Sequence, residues 1–302
     1  MIDSNSNPKA VPKATRPAPK PEWLRVPIRS GGNLNSVKRL LKELHLNTVC
    51  EAANCPNRME CFSSRTATFM ILGDICTRNC RFCDVPIGKA QAVQPDEPAR
   101  LAEAVVELGL VHVVITSVTR DDLPDGGAGH FAATVQAIRT RKPQATIELL
   151  IPDLQGDRAA LKTVLDSGPD ILNHNLETIP RLYSQVRPQA DYRQSLELLR
   201  AAKQLNPRVY TKSGLMVGLG EGVAEIETVM DDLRGVDCDF LTIGQYLPPS
   251  KSHFPVAEYI HPDTFKAYQR TGYQKGFAFV ASAPFVRSSY KAAEMTSAMD
   301  KE

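Results

Sequence analysis

Residues 75–85 read Ile-Cys-Thr-Arg-Asn-Cys-Arg-Phe-Cys-Asp-Val and place Cys76, Cys80 and Cys83 in a C-x3-C-x2-C pattern. Three thiolates at this spacing can bind three corners of a cuboidal [4Fe–4S] cluster and leave the fourth iron open to a substrate. A zinc site completed by a distant residue is the alternative, but structural zinc sites usually use paired C-x2-C knuckles. The pattern therefore favours a cluster with an open iron.

A second group of thiols, Cys50, Cys55 and Cys61, precedes the first in a C-x4-C-x5-C pattern and is also one ligand short of four. Residues 66–73 lie between the groups and have the apolar composition of a buried strand, which would hold them apart. We therefore expect two clusters, with a zinc pair shared by all six cysteines as the alternative. Such crowding indicates metal rather than disulfides, whereas the isolated Cys238 is expected in the core.

Beyond the cysteines, short apolar runs alternate with helical periodicity. The runs typical of strands are 68–72, 111–117, 146–151, 171–175, 209–217 and 240–244. The helices are predicted near 98–108, 130–141, 157–166, 191–205 and 222–234. This alternation predicts an α/β fold with a parallel sheet, and we favour a complete or partial (β/α) barrel over an open doubly wound sheet.

Polar residues follow nearly every predicted strand, where the active sites of such barrels form. They are Thr116, Ser117, Asp153, Asn173, His174, Asn175, Glu177, Lys212, the 218–221 loop and Gln245. His174 has no companion ligand at zinc spacing, so we expect a residue of the barrel interior whose hydrogen bonds are satisfied.

The bulk composition argues against several classes of protein. A net charge of +2 over 302 residues produces no large electrostatic field of one sign. Nucleic acid or an anionic membrane is therefore not expected as the main partner. No run approaches the roughly 18 apolar residues of a membrane span, and the N-terminus has no apolar signal-peptide core. We therefore expect a cytoplasmic protein, although a plastid stroma would leave the same pattern.

An ordered set of motifs runs through the chain. Its members are CEAANCPN at 50–57, TATFMILG at 66–73, RDDL at 120–123, DGGA at 125–128, NHNLE at 173–177, KSGLMVGLGE at 212–221, GQYL at 244–247 and RSSY at 287–290. Together with Phe82 before the last cysteine of the first group, this set resembles the lipoyl synthases of the radical S-adenosylmethionine (SAM) superfamily. The similarity covers about residues 21–291, and small departures at Met59, Phe62 and Pro248 bear on loop packing and subfamily.

The resemblance implies an activity, the insertion of two sulfur atoms at C6 and C8 of a protein-bound octanoyl-lysine. The cluster on the first group would bind SAM, and a 5′-deoxyadenosyl radical would abstract hydrogen from the acyl chain. The second cluster, called auxiliary, would donate the sulfur. Its catalytic and metal-binding residues would be Cys50, Cys55, Cys61 and, as the fourth iron ligand, Ser289.

The resemblance and the strand-end positions also imply contacts to SAM. The expected residues are Asp125, Gly126, Gly127, Asn173, Asn175, Glu177 and Arg187. Lys212 is a further candidate, with Arg187, to pair with the SAM carboxylate or to position the peptide.

The implied architecture is a partial (β/α)6 barrel of the radical SAM type over residues 67–283. An N-terminal extension at 28–66 and a C-terminal extension at 284–302 would cover its mouth, and the Pro-rich residues 1–27 are predicted to form a disordered arm. The implied partners are an octanoylated lipoyl-domain carrier protein, an electron donor such as ferredoxin or flavodoxin, and an iron–sulfur cluster carrier. Another sulfur-inserting radical SAM enzyme and a noncatalytic iron–sulfur or zinc protein are the competing hypotheses.

Overall fold

The computed structural model describes residues 19–25, 32–64, 66–290, 292–295 and 299. The rest of the predicted arm, residues 1–18 and 26–27, lies outside these ranges. Within the described part of the arm, a 3₁₀ turn buries Leu24. The neighbouring Trp23 ring meets His261 edge-on, with 5.1 Å between the ring centres.

One eight-stranded sheet forms the frame, and its strands lie side by side in chain order. They are β1 (Asn47–Thr48), β2 (Thr68–Ile71), β3 (His112–Ser117), β4 (Thr146–Leu150), β5 (Ile171–Asn173), β6 (Tyr210–Val217), β7 (Phe240–Gln245) and β8 (Phe279–Ser282). Only the pairing of β1 with β2 is antiparallel. The α/β class and the parallel sheet are therefore confirmed.

The helices connect these strands and cover the outside of the sheet. They are α1 (Gly32–Glu43), α2 (Val49–Ala52), α3 (Arg58–Ser63), α4 (Glu97–Glu107), α5 (Ala128–Arg141), α6 (Arg158–Asp166), α7 (Tyr183–Val186), α8 (Tyr192–Leu205), α9 (Val223–Arg234) and α10 (Pro262–Gln274). The five predicted helices agree with α4, α5, α6, α8 and α9 to within two residues at either end. Asp157 and Asp191 begin two of them by accepting hydrogen bonds from first-turn backbone amides. In the described ranges we find no membrane-spanning candidate by helix length and hydropathy.

The sheet continues one unit beyond the six that the sequence pattern predicts. Helix α10 and strand β8 form this unit, and β8 is short and only partly buried, so its apolar signal is weak. Gly272 allows the helix to pack closely, because a Cβ there would lie 2.8 Å from a methyl carbon of Val280. The partial barrel is confirmed, with a seventh parallel strand at its edge.

A buried ionic cluster lies inside the barrel. Lys212 Nζ on β6 donates to Glu148 Oε1 on β4 at 2.8 Å, and Asn173 Nδ2 donates to the same oxygen at 2.8 Å. His112 Nε2 lies 3.3 Å from Glu148 Oε2. Burial alone would raise the pKa of Glu148, but Lys212 and His112 outweigh it, and the pKa falls from 4.5 to about 2. The carboxylate therefore stabilises the fold above about pH 4.5, and this contribution is lost as the pH falls through 2.

Substituting Lys212 by methionine should destabilise the protein by about 3–5 kcal/mol, because Glu148 would stay buried without its cation. The free energy of unfolding, measured by denaturant titration at neutral pH, checks this. Lys162→Met is the matched control, since Lys162 pairs with Asp166 on the surface, and it should change stability by less than about 1 kcal/mol. Equal, small effects of both substitutions would contradict the prediction.

Candidate functional site

A cavity of about 490 Å³ opens at the carboxyl ends of the parallel strands. All six cysteines of the two sequence groups line it, as does Ser289 from the far end of the chain. Much of the remaining lining is apolar and includes Met70, Val118, Ile151 and Met216. The fold therefore brings the two thiol groups to one space, as active sites of this architecture require.

The first group lies on the loop that follows β2. Backbone amides of Arg78 and Thr119 approach Cys76 Sγ at 3.5 and 3.4 Å, and the Cys76 amide donates to the Pro86 carbonyl at 2.8 Å. Cys80 and Cys83 complete the group on the same loop. This loop is therefore joined by hydrogen bonds to the loop after β3.

Arg78, between the first two cysteines of this group, is the main tether of the loop. Its guanidinium donates to Asp121 at 2.6 and 2.8 Å and to Asp153 at 2.7 and 2.8 Å. Asp153 is only 1% exposed, and although burial raises its pKa, the pairing with Arg78 lowers it further than burial raises it. The role of Arg78 was not predicted, because an arginine inside a cysteine motif carries no signal of its partners.

Replacing Arg78 by alanine should loosen the cysteine loop and leave Asp153 buried without a cation. We expect the variant to bind only the auxiliary cluster well, so that iron per chain falls from about eight toward about four after reconstitution. The rate of SAM cleavage should fall at least about tenfold, because removing the hydrogen bonds that support metal ligands typically reduces activity by that factor or more. Iron analysis and the rate of 5′-deoxyadenosine formation check this.

The matched control for the loss of Arg78 is Arg181→Ala. Arg181 makes an equally bidentate pair with Glu225, at 2.9 Å for both contacts, but on the surface and outside the cavity. This variant should keep wild-type iron content and SAM cleavage. Full iron binding by the Arg78 variant would show that the tether is dispensable.

The second thiol group is held by the two short helices after β1. Cys50 lies on α2, whose first turn is capped by Thr48, and Cys61 lies on α3. Thr68 Oγ1 donates to Ser289 Oγ at 2.7 Å, and Thr68 also hydrogen-bonds the Cys50 thiol. Ser289 is therefore adjacent to the second group, where the resemblance places an iron ligand.

The C-terminal segment 284–290 is fastened over the cavity from two sides. Asn57 Nδ2 donates to the Phe285 carbonyl at 2.7 Å, and Tyr290 OH donates to Glu60 Oε1 at 3.2 Å. On the barrel side, Gly244 makes the close approach possible, since a Cβ there would lie 2.0 Å from the Val286 carbonyl oxygen. The segment that carries the second thiol group and the C-terminal segment 284–290 are thus joined by hydrogen bonds.

Burial disfavours ionisation of four of the thiols, Cys50, Cys61, Cys80 and Cys83. Burial raises the pKa of Cys50 to about 11 and the pKa values of Cys61 and Cys83 to about 12. Burial also raises the pKa of Cys80, although the charge of Arg187 opposes this. Iron must therefore displace the thiol protons when it binds.

The arrangement of donors fits clusters better than single ions. In the described part of the chain, no three His, Cys, Asp or Glu side chains stand in position to hold one metal ion. In a cuboidal cluster each thiolate binds a different iron, so the sulfurs lie further apart than around one ion. Two groups of three thiols on one cavity therefore suit two clusters.

Three of the predicted SAM contacts line the cavity beside the first group. They are Asn175, Glu177 and Arg187. Asn175 Nδ2 donates to Glu177 Oε1 at 2.9 Å, and Arg187 Nη1 donates to the carbonyls of Asn175 and Leu176 at 2.9 and 3.2 Å. Burial raises the pKa of Glu177, against the opposing charge of Arg187. Arg187 Nε is buried with no partner in the described residues, so a donor remains for an acidic ligand.

The other predicted contacts are placed elsewhere. Asp125 accepts from the Gly127 and Gly129 amides at 2.9 and 2.8 Å and thereby shapes the turn into α5. Gly127 is left-handed and packs against Leu72, where a Cβ would lie 2.3 Å from a methyl carbon. None of Asp125, Gly126 and Gly127 lines the cavity, and a contact from them to SAM stays a prediction.

Two strand-end residues belong to the buried ionic cluster rather than to the cavity. Asn173 and Lys212 are fully buried on Glu148 and do not line the cavity. For Lys212, the buried ion pair with Glu148 favours a structural salt bridge over a pairing with the SAM carboxylate. Contact of Asn173 with SAM stays a prediction.

The hydrogen bonding of His174 differs from the prediction. Its Nδ1 donates to the Ile151 carbonyl at 2.9 Å, but its Nε2 has no partner in the described residues and the side chain lines the cavity. The expectation of a satisfied interior residue is therefore wrong for one ring nitrogen. Burial lowers the pKa of His174 to about 4, so the ring is neutral and Nε2 offers an acceptor.

Comparison with known proteins agrees with this geometry. The Radical SAM superfamily model matches residues 70–233. A lipoyl synthase of Alkaliphilus metalliredigens is 60% identical over 275 residues, which cover 91% of this chain and 95% of that protein. A lipoyl synthase of Caldanaerobacter subterraneus is 58% identical over 273 residues, or 90% of this chain and 95% of that protein.

A solved structure supports the fold independently. The crystal structure of methylornithine synthase superposes with a TM-score of 0.55 at 17% identity, covering 82% of each chain. At this identity the similarity concerns the fold alone. The motif resemblance is nevertheless confirmed by the two relatives at high identity, and the chain belongs to the lipoyl synthase family of the radical SAM superfamily.

Proposed function

We propose that this cavity is where two sulfur atoms enter a protein-bound octanoyl chain, with Cys76, Cys80 and Cys83 serving SAM and the second thiol group serving sulfur transfer. The observation that carries the proposal is the placement of both thiol groups, each one ligand short of four, on a single cavity. When bound, the clusters and SAM supply the electron, the hydrogen-abstracting radical and the sulfur. The chain's own residues position these groups and exclude water.

The division between the two groups follows from their neighbours. Asn175, Glu177 and Arg187 provide polar contacts beside the first group and suit the hydroxyl, amino and carboxylate groups of SAM. Ser289 and Thr68 lie beside Cys50 instead. A serine oxygen is a hard ligand for iron, so we propose Ser289 as the fourth and most easily released ligand of the auxiliary cluster.

The apolar lining of the cavity suits an aliphatic chain. Met70, Val118, Ile151 and Met216 line it. Their methyl and thioether groups exclude water and offer no acid or base to the substrate. The C-terminal segment contributes Val286 to Tyr290 to the lining of this space and helps to exclude water from it.

Membership of the family indicates which classes of partner the chain needs. The chain acts on an octanoylated carrier protein and needs an electron donor. We propose a lipoyl-domain carrier, ferredoxin or flavodoxin as the donor, and an iron–sulfur cluster carrier for reassembly. A reducing compartment such as the bacterial cytoplasm suits seven cysteines that are all free thiols.

Anaerobic reconstitution with iron and sulfide tests the proposed function. The chain should bind about eight irons, cleave SAM with a reductant, and convert an octanoyl-lysyl peptide to the lipoyl product. Tightly bound zinc in place of iron, or intact SAM after reduction, would contradict the proposal. A cleaved SAM with an unchanged peptide would contradict the sulfur-transfer part alone.

A further inference from the structure

The two adjacent serines of the 287–290 motif point to different halves of the cavity. Ser289 meets Thr68 on the side of the second thiol group, at 2.7 Å between hydroxyl oxygens. Ser288 instead donates to Asn175 Oδ1 at 2.6 Å, across 113 positions of sequence. The same short segment therefore touches the auxiliary side through one residue and the SAM side through its neighbour.

Ser288 fixes the orientation of the Asn175 amide. Because the hydroxyl donates to the amide oxygen, the amide nitrogen is directed to Glu177 Oε1, 2.9 Å away. Without this donor the amide oxygen loses its side-chain hydrogen bond, and the amide is held on the Glu177 side alone. Ser288, Asn175 and Glu177 thus form one chain of hydrogen bonds, called the relay below, which ends beside the first thiol group.

The backbone holds the far end of this relay in place. Glu177 has a left-handed φ of 66°, which a non-glycine residue adopts only when its surroundings require it. Its amide donates to the Gly214 carbonyl at 2.9 Å, and the Met216 amide donates to the Glu177 carbonyl at 2.8 Å. The position of Glu177 is therefore set by β6. Among the described residues, the other side-chain hydrogen bond of the Asn175 amide is the one from Ser288.

Space around the relay is tightly limited. A Cβ on Gly214 would lie 2.7 Å from Asn175 Oδ1 and 2.9 Å from Ser288 Oγ. A side chain at position 214 would therefore displace the Asn175 or Ser288 side chain. This gives a second substitution that reaches the contact without removing either polar group.

We propose that Ser288 is a positioning residue for SAM, which it orders through Asn175 and Glu177. The inference rests on the proposed role of Asn175 and Glu177 as SAM contacts. It follows that the SAM side of the cavity is complete only when the C-terminal segment has docked.

The test is SAM affinity of the reconstituted holoenzyme, measured by equilibrium dialysis without reductant. Ser288→Ala should weaken SAM binding about three- to tenfold, the effect of one neutral hydrogen bond, with iron content unchanged. Gly214→Ala should weaken it by at least the same factor. Ser167→Ala serves as the control, since the Ser167 hydroxyl donates to the Val164 carbonyl at the end of α6 and does not line the cavity, so SAM affinity should be unchanged.

A double substitution distinguishes positioning from a merely structural effect. If Ser288 acts through Asn175, Ser288→Ala should cause no further loss of SAM affinity in an Asn175→Ala background. Wild-type affinity of Ser288→Ala, or an undiminished loss in that background, would overturn the inference while leaving the SAM site intact. Wild-type affinity of Asn175→Ala itself would overturn both the inference and the proposed SAM site.

Discussion

Replacing Cys55 by alanine should abolish sulfur insertion and leave SAM cleavage intact. Cys55 belongs to the second thiol group, and it lies in the loop between α2 and α3, where its amide donates to the Cys50 carbonyl at 3.1 Å. The substitution removes one cluster ligand without disturbing the loop of the first group. We expect about four irons per chain, 5′-deoxyadenosine at close to the wild-type rate, and no dithiolane product.

Both products can be measured in the same reaction by mass spectrometry. Cys238→Ala is the matched control, since Cys238 is fully buried beside β7 and does not line the cavity. It should keep both SAM cleavage and sulfur insertion, at a modest cost in stability for the lost sulfur atom. Sulfur insertion by the Cys55 variant would mean that the second group is not the sulfur source.

Replacing Cys80 by alanine should abolish both reactions. Cys80 is the middle thiol of the first group and lies close to Arg187, whose charge offsets part of the burial effect on the pKa of the thiol. With two thiolates left, the cluster that binds SAM is not retained, and no radical forms to begin sulfur insertion. We expect SAM to be recovered intact and the octanoyl peptide unchanged.

The contrast between these two cysteines is the informative result. The Cys80 variant should still bind about four irons, all of them at the second group. Retained iron would show that the activity is lost without unfolding of the chain. Far-UV circular dichroism and denaturant unfolding check the fold of both variants. If Cys80→Ala still produced 5′-deoxyadenosine, the assignment of the first group to SAM would be wrong.

The repeat of strand and helix was predictable because both periodicities are strong in this chain. Residues 146–151 and 157–166, for example, form β4 and α6 almost as expected. The unit of α10 and β8 was not predicted, since β8 has four residues and buries few of them. Short, half-exposed strands leave little apolar signal in a sequence.

The cysteine sites were predictable from spacing, whereas the polar residues around them were not. Lys212 and Asn173 follow the pattern of strand-end residues, yet both turn into the barrel toward Glu148. Arg78 shows the opposite case, a residue without a pattern that proves to tether the cysteine loop. Which partner a polar side chain finds depends on contacts between distant segments, and single-sequence patterns do not record these.

The most direct measurement follows the sulfur itself. The chain is reconstituted with iron and heavy-isotope sulfide and freed of excess sulfide. It then makes a single turnover with SAM, a reductant and an octanoyl-lysyl peptide that contains no sulfur. We predict that both sulfur atoms of the product carry the heavy label in the wild-type chain, and that Cys55→Ala yields no labelled product. An unlabelled dithiolane from the wild-type chain would contradict a sulfur source at Cys50, Cys55 and Cys61.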